Sequence, residues 1–483
     1  MTGDLKLAIE SFVKSCSQPV LSEPGEELIQ LQGDNLSLDA HLGGLSLQAW
    51  NEQRNLVRRV IAIESQSRSK LVLRVERFGK KFGTLSLLDL EKSDRQLVGL
   101  RTSRQEFREV FRRFLRREFP GFRLAELSTE ADLEQSLSPA FPRALIHEGT
   151  TALAAIGAGP DSNVDSMLTF GLIWLDYLRS LPQRLTIRGL VLFLPVGREK
   201  NTCLRLHFLD PQRASFTAFA YSDEGCIRRI DLADYGNVDT HVEPCRRVPL
   251  ELDALSKSLL QISGVETVQA HGGALVFRVH GLEFARLADG VMTAGLETKR
   301  KVAASNGSEI LTLARQLVRL RAFDSADRQH PFMLRNPECW LESQVRAHLE
   351  DIDPSLCVNP VYGQVPALAA SGRGLLDLLA VDRCGRLAVI ELKASQDIQL
   401  PLQALDYWIR VKWHLDRREF SQQGYFPGTQ IGPAAPRLLL VAPALDFHPT
   451  NERVLRFFSP EIQVERLGVG IQWQQQLKLM YRI

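Results

Sequence analysis

The sequence predicts a mixed α/β protein built from several domains. Its 483 residues, 44% of them hydrophobic, are enough to bury several cores. Apolar and polar side chains alternate with a period of two over residues 27–89, which predicts β-strands. Later segments combine amphipathic helices with continuously apolar runs such as LVLFLP, which are typical of parallel strands buried on both faces.

Changes in this pattern predict four domains. A helix begins near Ser103, carries one apolar stripe and ends at Pro120 and Gly121, where the β-rich pattern gives way to α/β units. Farther along, CLRLHFL and several later runs are predicted as strands, and the polar stretch AFDSADRQHPFML is predicted as a linker. The predicted domains are a basic β-rich domain (1–100), an α/β domain (101–200), a strand-rich middle domain (201–330) and a C-terminal α/β domain (331–483).

Positive charge is concentrated in one region, although the net charge of the chain is only +2. Residues 51–123 contain 19 Lys and Arg against 9 Asp and Glu. Such a block is expected of a surface that meets phosphates, and the alternative is a solvated, salt-bridged face. The residues predicted to bind nucleic acid are four arginines on one helical face and two adjacent lysines: Arg104, Arg108, Arg112, Arg116, Lys80 and Lys81.

Cysteine spacing and hydropathy predict the compartment. Seven cysteines are scattered singly, without the CxxC spacing of a zinc site or the even number of a disulfide framework. The N-terminus lacks the long apolar core of a signal peptide, and no apolar run could span a bilayer. We therefore expect a soluble, cytoplasmic protein with no membrane partner.

The C-terminal domain places acidic residues and a lysine at the ends of apolar strands. The strand GLLDLLAVD carries Asp377, and RLAVIELKA carries Glu391 and Lys393 on one face because side chains alternate along a strand. The turn RCGR, with Gly385 at its tip, joins the two strands as a hairpin. The carboxylates of Asp377 and Glu391 are therefore expected to meet.

Two carboxylates and the backbone carbonyl of Leu392 form an oxygen-rich site of the kind that binds Mg²⁺ or Mn²⁺. A bound metal lowers the pKa of a water ligand, and Lys393 could orient or deprotonate that water or offset charge in the transition state. Gln403 and Tyr407 lie four residues apart on one face of the next helix and could point to the same site. The alternative is a surface ion pair, but the charges terminate an apolar strand, where unpaired burial is costly.

These residues resemble the PD-(D/E)XK nuclease superfamily. Asp377 matches its central Asp, Glu391-Leu392-Lys393 its E-x-K triplet, and Gln403 with Tyr407 the Q-x-x-x-Y element of the RecB-like branch. The resemblance covers about 150 residues and implies a restriction-endonuclease-like domain with a central mixed sheet flanked by helices. It also implies Glu342 as the first-helix acid, a divalent metal and phosphodiester hydrolysis. Leu376, rather than Pro, precedes Asp377.

Residues 106–195 repeat the same order of elements without the chemical groups. LAAIGAG aligns with LAVIELK, and LVLFLP aligns with LLLVAP. The aligned pairs are Arg143 with Asp377, Gly157 with Glu391, Gly159 with Lys393, Ile173 with Gln403, and Asp176-Tyr177 with Asp406-Tyr407. This pattern predicts a degenerate nuclease-like domain, and the alternative is that unrelated α/β units look alike.

The expected function is that of a metal-dependent nuclease acting on nucleic acid, with DNA favoured over RNA. The competing class is a nucleic-acid-binding or scaffold protein with a vestigial nuclease domain. The sequence leaves open a homodimer, an internal pseudo-dimer and a further protein partner.

Overall fold

The structure, a computed structural model, divides into two compact units. Unit 1 comprises Met1–Asn237 with Pro449–Pro460, and unit 2 comprises Val238–His448 with Glu461–Ile483. The structure describes residues 2–483 apart from 24–28, 32–34, 42–43, 52–53, 68–69, 78–80, 90–93, 133, 161, 183, 223–224, 234–239, 246–251, 271–272, 297, 303–305, 326–329 and 370–371.

A seven-stranded antiparallel sheet forms the beginning of unit 1, as the alternating pattern predicts. Its order is β2-β1-β7-β6-β5-β4-β3, and one face buries Leu45, Leu47, Leu71 and Leu73 against the preceding helix α1. The elements are α1 (Thr2–Ser15), β1 (Pro19–Ser22), β2 (Ile29–Gln30), β3 (Leu36–His41), β4 (Gly44–Asn51), β5 (Arg54–Gln66), β6 (Lys70–Arg77) and β7 (Lys81–Asp89).

A six-stranded mixed sheet forms the rest of unit 1. The predicted apolar stripe of its first helix is confirmed, since Phe107, Phe111 and Phe114 pack against Phe193 and Tyr221 of the sheet. The elements are α2 (Asp94–Glu118), β8 (Arg123–Ser128), β9 (Arg143–Glu148), β10 (Thr151–Gly157), α3 (Val164–Ser180), β11 (Thr186–Pro195), α4 (Lys200–His207), β12 (Ser215–Tyr221) and β13 (Ile227–Arg229).

Two differences from the sequence-based predictions concern this sheet. CLRLHFL, predicted as a strand, lies mostly in helix α4, where Cys203, Leu204 and Leu206 are buried. The sheet also continues through β12 and β13, beyond the predicted boundary at residue 200. Short apolar runs fit either a strand or a buried helix, which explains the wrong prediction for α4.

A late segment of the chain, residues 449–460, belongs to unit 1. Its helix α12 (Asn451–Leu455) packs on α3. Arg453 donates hydrogen bonds to the carboxylate of Asp176 at 2.6 Å and to the carbonyl of Ile173 at 3.0 Å. The end of the segment pairs with the residues after α4, with the N–H of Asp210 bound to the carbonyl of Phe457 and the N–H of Ser459 bound to that of Phe208.

The paired segments are similar in sequence. LHFLDP follows from Leu206, and LRFFSP follows from Leu455. A single antiparallel β-bridge between these segments pairs Leu209 with Phe458, which occupy the same position in the two hexapeptides. The two hydrogen bonds are therefore related by a local twofold symmetry.

Unit 2 begins with a five-stranded antiparallel sheet. Its order is β14-β15-β16-β17-β18, and Phe277 and Phe284 bury against Ile310 and Leu317 of an amphipathic helix. The elements are α5 (Ala254–Leu260), β14 (Val265–Gln269), β15 (Leu275–Val279), β16 (Leu282–Ala288), β17 (Val291–Ala294), β18 (Arg300–Lys301), α6 (Gly307–Leu320) and α7 (Pro331–Leu334).

A second six-stranded mixed sheet completes unit 2. Its central strands β21 and β22 are buried along their whole length, as expected of strands with both faces covered. The elements are α8 (Pro337–Ala347), α9 (Leu349–Ile352), β19 (Tyr362–Ala369), β20 (Gly372–Val381), β21 (Leu387–Leu392), α10 (Leu400–Asp416), α11 (Glu419–Gln422), β22 (Arg437–Pro443), β23 (Val464–Val469) and β24 (Leu479–Arg482).

The two six-stranded sheets have the same topology. Their orders are β8-β9-β10-β11-β12-β13 and β19-β20-β21-β22-β23-β24. In each, the first three strands are antiparallel, the next two pairings are parallel and the last is antiparallel. This agreement in order and direction is more specific than a resemblance between isolated helices and strands, and it supports the duplication inferred from sequence.

Candidate active site at the end of strand β21

The hairpin β20–β21 brings the two predicted acids together. Leu378 lies opposite Ile390, so the adjacent position places Asp377 opposite Glu391. Gly385 forms the turn with φ of 83°, and a Cβ there would meet the carbonyl of Gln430 at 2.1 Å. The turn therefore requires glycine for both conformation and space.

Hydrogen bonds and neighbouring charges only partly offset the cost of desolvating the carboxyl groups of Asp377 and Glu391. The N–H of Leu392 donates to Oδ2 of Asp377 at 2.8 Å. Glu391 is 3% exposed, and within the described chain its buried Oε2 has no hydrogen-bond partner. Burial raises the pKa of Asp377 to about 7, although Lys393 and the Leu392 N–H oppose the shift. Burial, followed by the charge of Asp377, also raises the pKa of Glu391 well above its ordinary value.

Lys393 lies among three carboxylates just beyond the end of β21. Its Nζ is 3.6 Å from Glu338, 3.7 Å from Glu391 and 3.7 Å from Asp397. Burial lowers the pKa of Lys393, but these carboxylates outweigh it and hold the pKa above its ordinary value. The lysine is therefore held as an ammonium ion in the metal-free protein.

Glu338 and Asp397 were not identified from the sequence. Both lie four residues from a predicted site residue: Glu338 is one helical turn before Glu342, and Asp397 follows Lys393. The i, i+4 spacing in α8 is a signal that could have identified Glu338. Its side chain is 49% exposed, so it is reachable from solvent.

Glu342, the predicted first-helix acid, is engaged elsewhere. Arg278 contacts it at 3.1 Å and Arg346 at 2.8 Å, and the glutamate side chain is 5% exposed. Two arginines therefore neutralise Glu342, while Glu338, on the preceding turn of α8, extends to Lys393. The structure brings Glu338, rather than Glu342, into contact with the lysine.

Helix α10 lies beside the acids. Pro401 stands in its first turn, as predicted. Burial raises the pKa of Tyr407, and the carboxylates of Glu391 and Asp377 add to that shift, so the phenol is close to both acids. Gln403 is half-buried one turn earlier on the same helix. Trp408 instead points into the core, where its indole N–H donates to the carbonyl of Pro436 at 2.8 Å.

The predicted phosphate-binding residues lie in unit 1. Arg108 and Arg112 are half-buried on α2 and contact Glu109 at 3.6 and 3.1 Å, whereas Arg116 is exposed. Arg104 is half-buried on the same helix. Lys80 lies outside the described residues, and Lys81 begins β7. Nucleic-acid binding by these residues stays a prediction.

The residues at the end of β21 suit a divalent cation by one criterion and fall short by another. The orphaned oxygen of Glu391 beside Asp377 is a buried acceptor that a cation would satisfy. Among the described residues, however, no group of three or more His, Cys, Asp or Glu side chains is placed to hold a metal ion. A metal here would therefore take two carboxylates and complete its shell with backbone oxygen, water or substrate.

The first six-stranded sheet shows which residues stand at the corresponding positions. In the parallel pairing, Glu391 lies beside Leu440, whereas Ile156 lies beside Leu192, the residue aligned with Leu440. Similarly, the N–H of Lys393 binds the carbonyl of Val441 and that of Ala158 binds the carbonyl of Phe193, both at 3.0 Å.

The sequence alignment of this strand is therefore wrong by one residue. Ile156 and Ala158, rather than Gly157 and Gly159, correspond to Glu391 and Lys393. The β9–β10 hairpin is one residue shorter than β20–β21, and an ungapped alignment cannot show that difference. Arg143 remains the counterpart of Asp377, because it lies opposite Ile156.

Comparison with known proteins adds no assignment. No protein-family model matches the chain, and no curated protein matches it. In the described parts of the chain, no helix combines the length and apolar character needed to cross a membrane. All seven cysteines are free thiols.

Proposed function

We propose that this chain is a metal-dependent nuclease that hydrolyses phosphodiester bonds, with DNA as its substrate. The observation that carries the proposal is the pair of acids, half-buried Asp377 and buried Glu391, beside Lys393 at the end of β21. Three ionisable groups are held there at a cost in solvation, and one carboxylate oxygen lacks a hydrogen-bond partner among the described residues. Such an arrangement is typical of a site that acts on a ligand.

The acids and the Leu392 carbonyl would hold Mg²⁺ or Mn²⁺. When bound, such an ion polarises a phosphoryl oxygen and lowers the pKa of a coordinated water. The chain contributes positioning: the Leu392 N–H fixes the Asp377 carboxylate, and Tyr407 lies close to both acids. Gln403, one turn before Tyr407, would orient the substrate or the acids.

Lys393 would stabilise charge rather than remove a proton. Its raised pKa keeps the ammonium protonated at neutral pH in the metal-free protein. A protonated lysine can donate hydrogen bonds to the phosphoryl oxygens as negative charge develops on them. Glu338 and Asp397 hold the lysine in place.

The remainder of the proposal concerns the substrate and its setting. Exposed and half-buried arginines of α2 would contact backbone phosphates without reading sequence. A cytoplasmic location is in keeping with seven free thiols. One active site in each chain is expected, because Arg143, Ile156 and Ala158 replace the three chemical groups in the other sheet.

A vestigial nuclease domain within a nucleic-acid-binding or scaffold protein is the second candidate. The observation that favours it is the neutralisation of Glu342 by Arg278 and Arg346, which removes one predicted acid from the site. Under this alternative, Asp377 and Glu391 would be retained without a catalytic role.

A cleavage panel separates the two candidates. Labelled single-stranded, duplex, mismatched and flapped DNA, with matched RNA, is incubated with Mg²⁺ or Mn²⁺ and either wild-type protein or Asp377→Asn. The nuclease proposal expects metal-dependent cleavage that Asp377→Asn abolishes. Binding of the same substrates by both proteins, with no cleavage by either, would instead establish the scaffold function.

A further inference from the structure

Arg143 occupies the position in the first six-stranded sheet that Asp377 occupies in the second. It begins β9 and lies opposite Ile156, the counterpart of Glu391. A cationic side chain therefore stands where the second sheet presents an acid for a cation. The charge of this position is reversed, not merely lost.

The guanidinium of Arg143 is buried and has no ion-pair partner among the described residues. The residue is 5% exposed, and its Nε and Nη1 have no hydrogen-bond partner in the described chain. The side chain lies over Trp174, 5.5 Å from the ring centroid. Although Asp132 and Glu126 are near enough to favour its charged form, no ion pair to Arg143 is found among the described residues.

A buried guanidinium without acceptors is unfavourable. Burial lowers the pKa of Arg143, which reflects the cost of desolvating its charge. Arginine nevertheless stays protonated in proteins, so the cost is not relieved by losing a proton. The ligands that match its planar donors are carboxylate and phosphate groups, which accept two parallel hydrogen bonds.

We propose that Arg143 binds a phosphate group of a nucleic-acid strand, so that the degenerate sheet is a phosphate-binding site. Nucleic acid as the source of the phosphate rests on the proposed function. The geometry itself argues only for an anion that accepts two parallel hydrogen bonds at the equivalent of the acidic site. Tyr177 of α3 lies close enough to influence the pKa of Arg143, and Asp377 in turn influences the pKa of Tyr407 of α10, which extends the correspondence to these two helices.

Thermal melting with inorganic phosphate tests the site without any requirement for catalysis. The measurement uses the full chain carrying Asp377→Asn, in EDTA, with and without Arg143→Met. The exposed Arg188 of β11 supplies the matched control Arg188→Met, which removes the same charge from the surface. Millimolar phosphate is expected to raise the melting temperature of the parent and of Arg188→Met by several degrees, but not that of Arg143→Met.

The phosphate-free melting temperatures give a second, independent readout. If the guanidinium lacks a partner, Arg143→Met melts at the same temperature as the parent or higher. A clear fall in the melting temperature of Arg143→Met without phosphate would show a structural role through Trp174 and would overturn the proposal. An equal phosphate response in all three proteins would also overturn it.

Oligonucleotide binding distinguishes a terminal phosphate from a backbone phosphate. Single-stranded 20-mers with and without a 5′-phosphate are titrated against the same three proteins. Loss of about tenfold in affinity for both oligonucleotides in Arg143→Met supports a backbone contact, and loss confined to the phosphorylated strand supports a terminal phosphate. Unchanged affinity for both oligonucleotides overturns the assignment to nucleic acid. All three proteins carry Asp377→Asn, and the titrations measure binding rather than cleavage. A failure of the nuclease proposal would therefore leave the outcome of this test unaffected.

Discussion

The two six-stranded sheets share one strand order but differ in what they bury at the same positions. The sheet of unit 2 holds half-buried Asp377 and buried Glu391 beside Lys393, whereas that of unit 1 has Arg143, Ile156 and Ala158 at the corresponding positions. The same strand order forms with Ile156 and Ala158 in place of Glu391 and Lys393, and with an arginine in place of Asp377. The costly charged groups of unit 2 are therefore not needed to form the sheet, which is why we attribute them to function.

The largest expected effect is the loss of cleavage when the Lys393 ammonium is removed and Asp377 and Glu391 stay in place. Lys393→Met should reduce cleavage by about 10³-fold, because it would remove the donor that we propose to offset charge in the transition state. Single-turnover cleavage with Mn²⁺ is the measurement. Lys412→Met is the matched control, since Lys412 pairs with Asp416 on α10 and contacts neither acid. Equal cleavage rates in the two variants would show that Lys393 has no role in cleavage.

The next largest effect concerns metal binding, which we expect at the acids of the unit 2 sheet and not at the corresponding residues of the unit 1 sheet. Mn²⁺ at 100 times its dissociation constant should stabilise the wild type by about 2.7 kcal/mol. Glu391→Gln should lose this stabilisation, because the site would keep only one charged ligand. Differential scanning fluorimetry measures the shift, with Asp351→Asn as a control at a carboxylate that is 60% exposed. An undiminished shift in Glu391→Gln would place the metal outside this site.

The third prediction concerns the cost of the acids in the metal-free protein. Because the pKa of Asp377 rises from 3.8 to about 7 on folding, the folded state holds a proton that the unfolded state releases. The contribution of this group is therefore greatest below pH 4 and is lost as the pH rises through 7. Asp377→Asn removes the ionisation and keeps an acceptor for the Leu392 N–H.

Urea unfolding in EDTA at pH 5 and pH 8 measures this difference. The free energy of unfolding of Asp377→Asn relative to wild type should increase between the two values, by about 1–3 kcal/mol. If the difference in free energy of unfolding is the same at pH 5 and pH 8, ionisation of Asp377 does not destabilise the folded protein.

The smallest effect concerns residues 449–460, the late segment of the chain that belongs to unit 1. Arg453→Met removes hydrogen bonds to Asp176 and Ile173 and should lower the free energy of unfolding by about 1–2 kcal/mol. Cleavage at saturating substrate should change little. Arg456→Met, whose side chain is 57% exposed, is the control, and equal stabilities would show that the Arg453 contacts are dispensable.

The sequence predicted the hairpin, the helix α10 and the meeting of Asp377 with Glu391 because each depends on local periodicity. Other features depended on long-range contacts. Glu342 is neutralised by Arg278, a residue 64 positions away, and no local pattern shows such a partner. The one-residue shift at Ile156 came from turn length, and α4 was misassigned because a short apolar run does not distinguish a strand from a buried helix.

The membership of residues 449–460 in unit 1 has a consequence for synthesis. A chain emerging from the ribosome exposes residues 1–237 long before it exposes Phe457 and Phe458, which are buried in the finished protein. Unit 1 therefore cannot reach its final state before residues 238–448 of unit 2 have been synthesised. Its final packing waits for residues 449–460, which follow the main part of unit 2 in the chain.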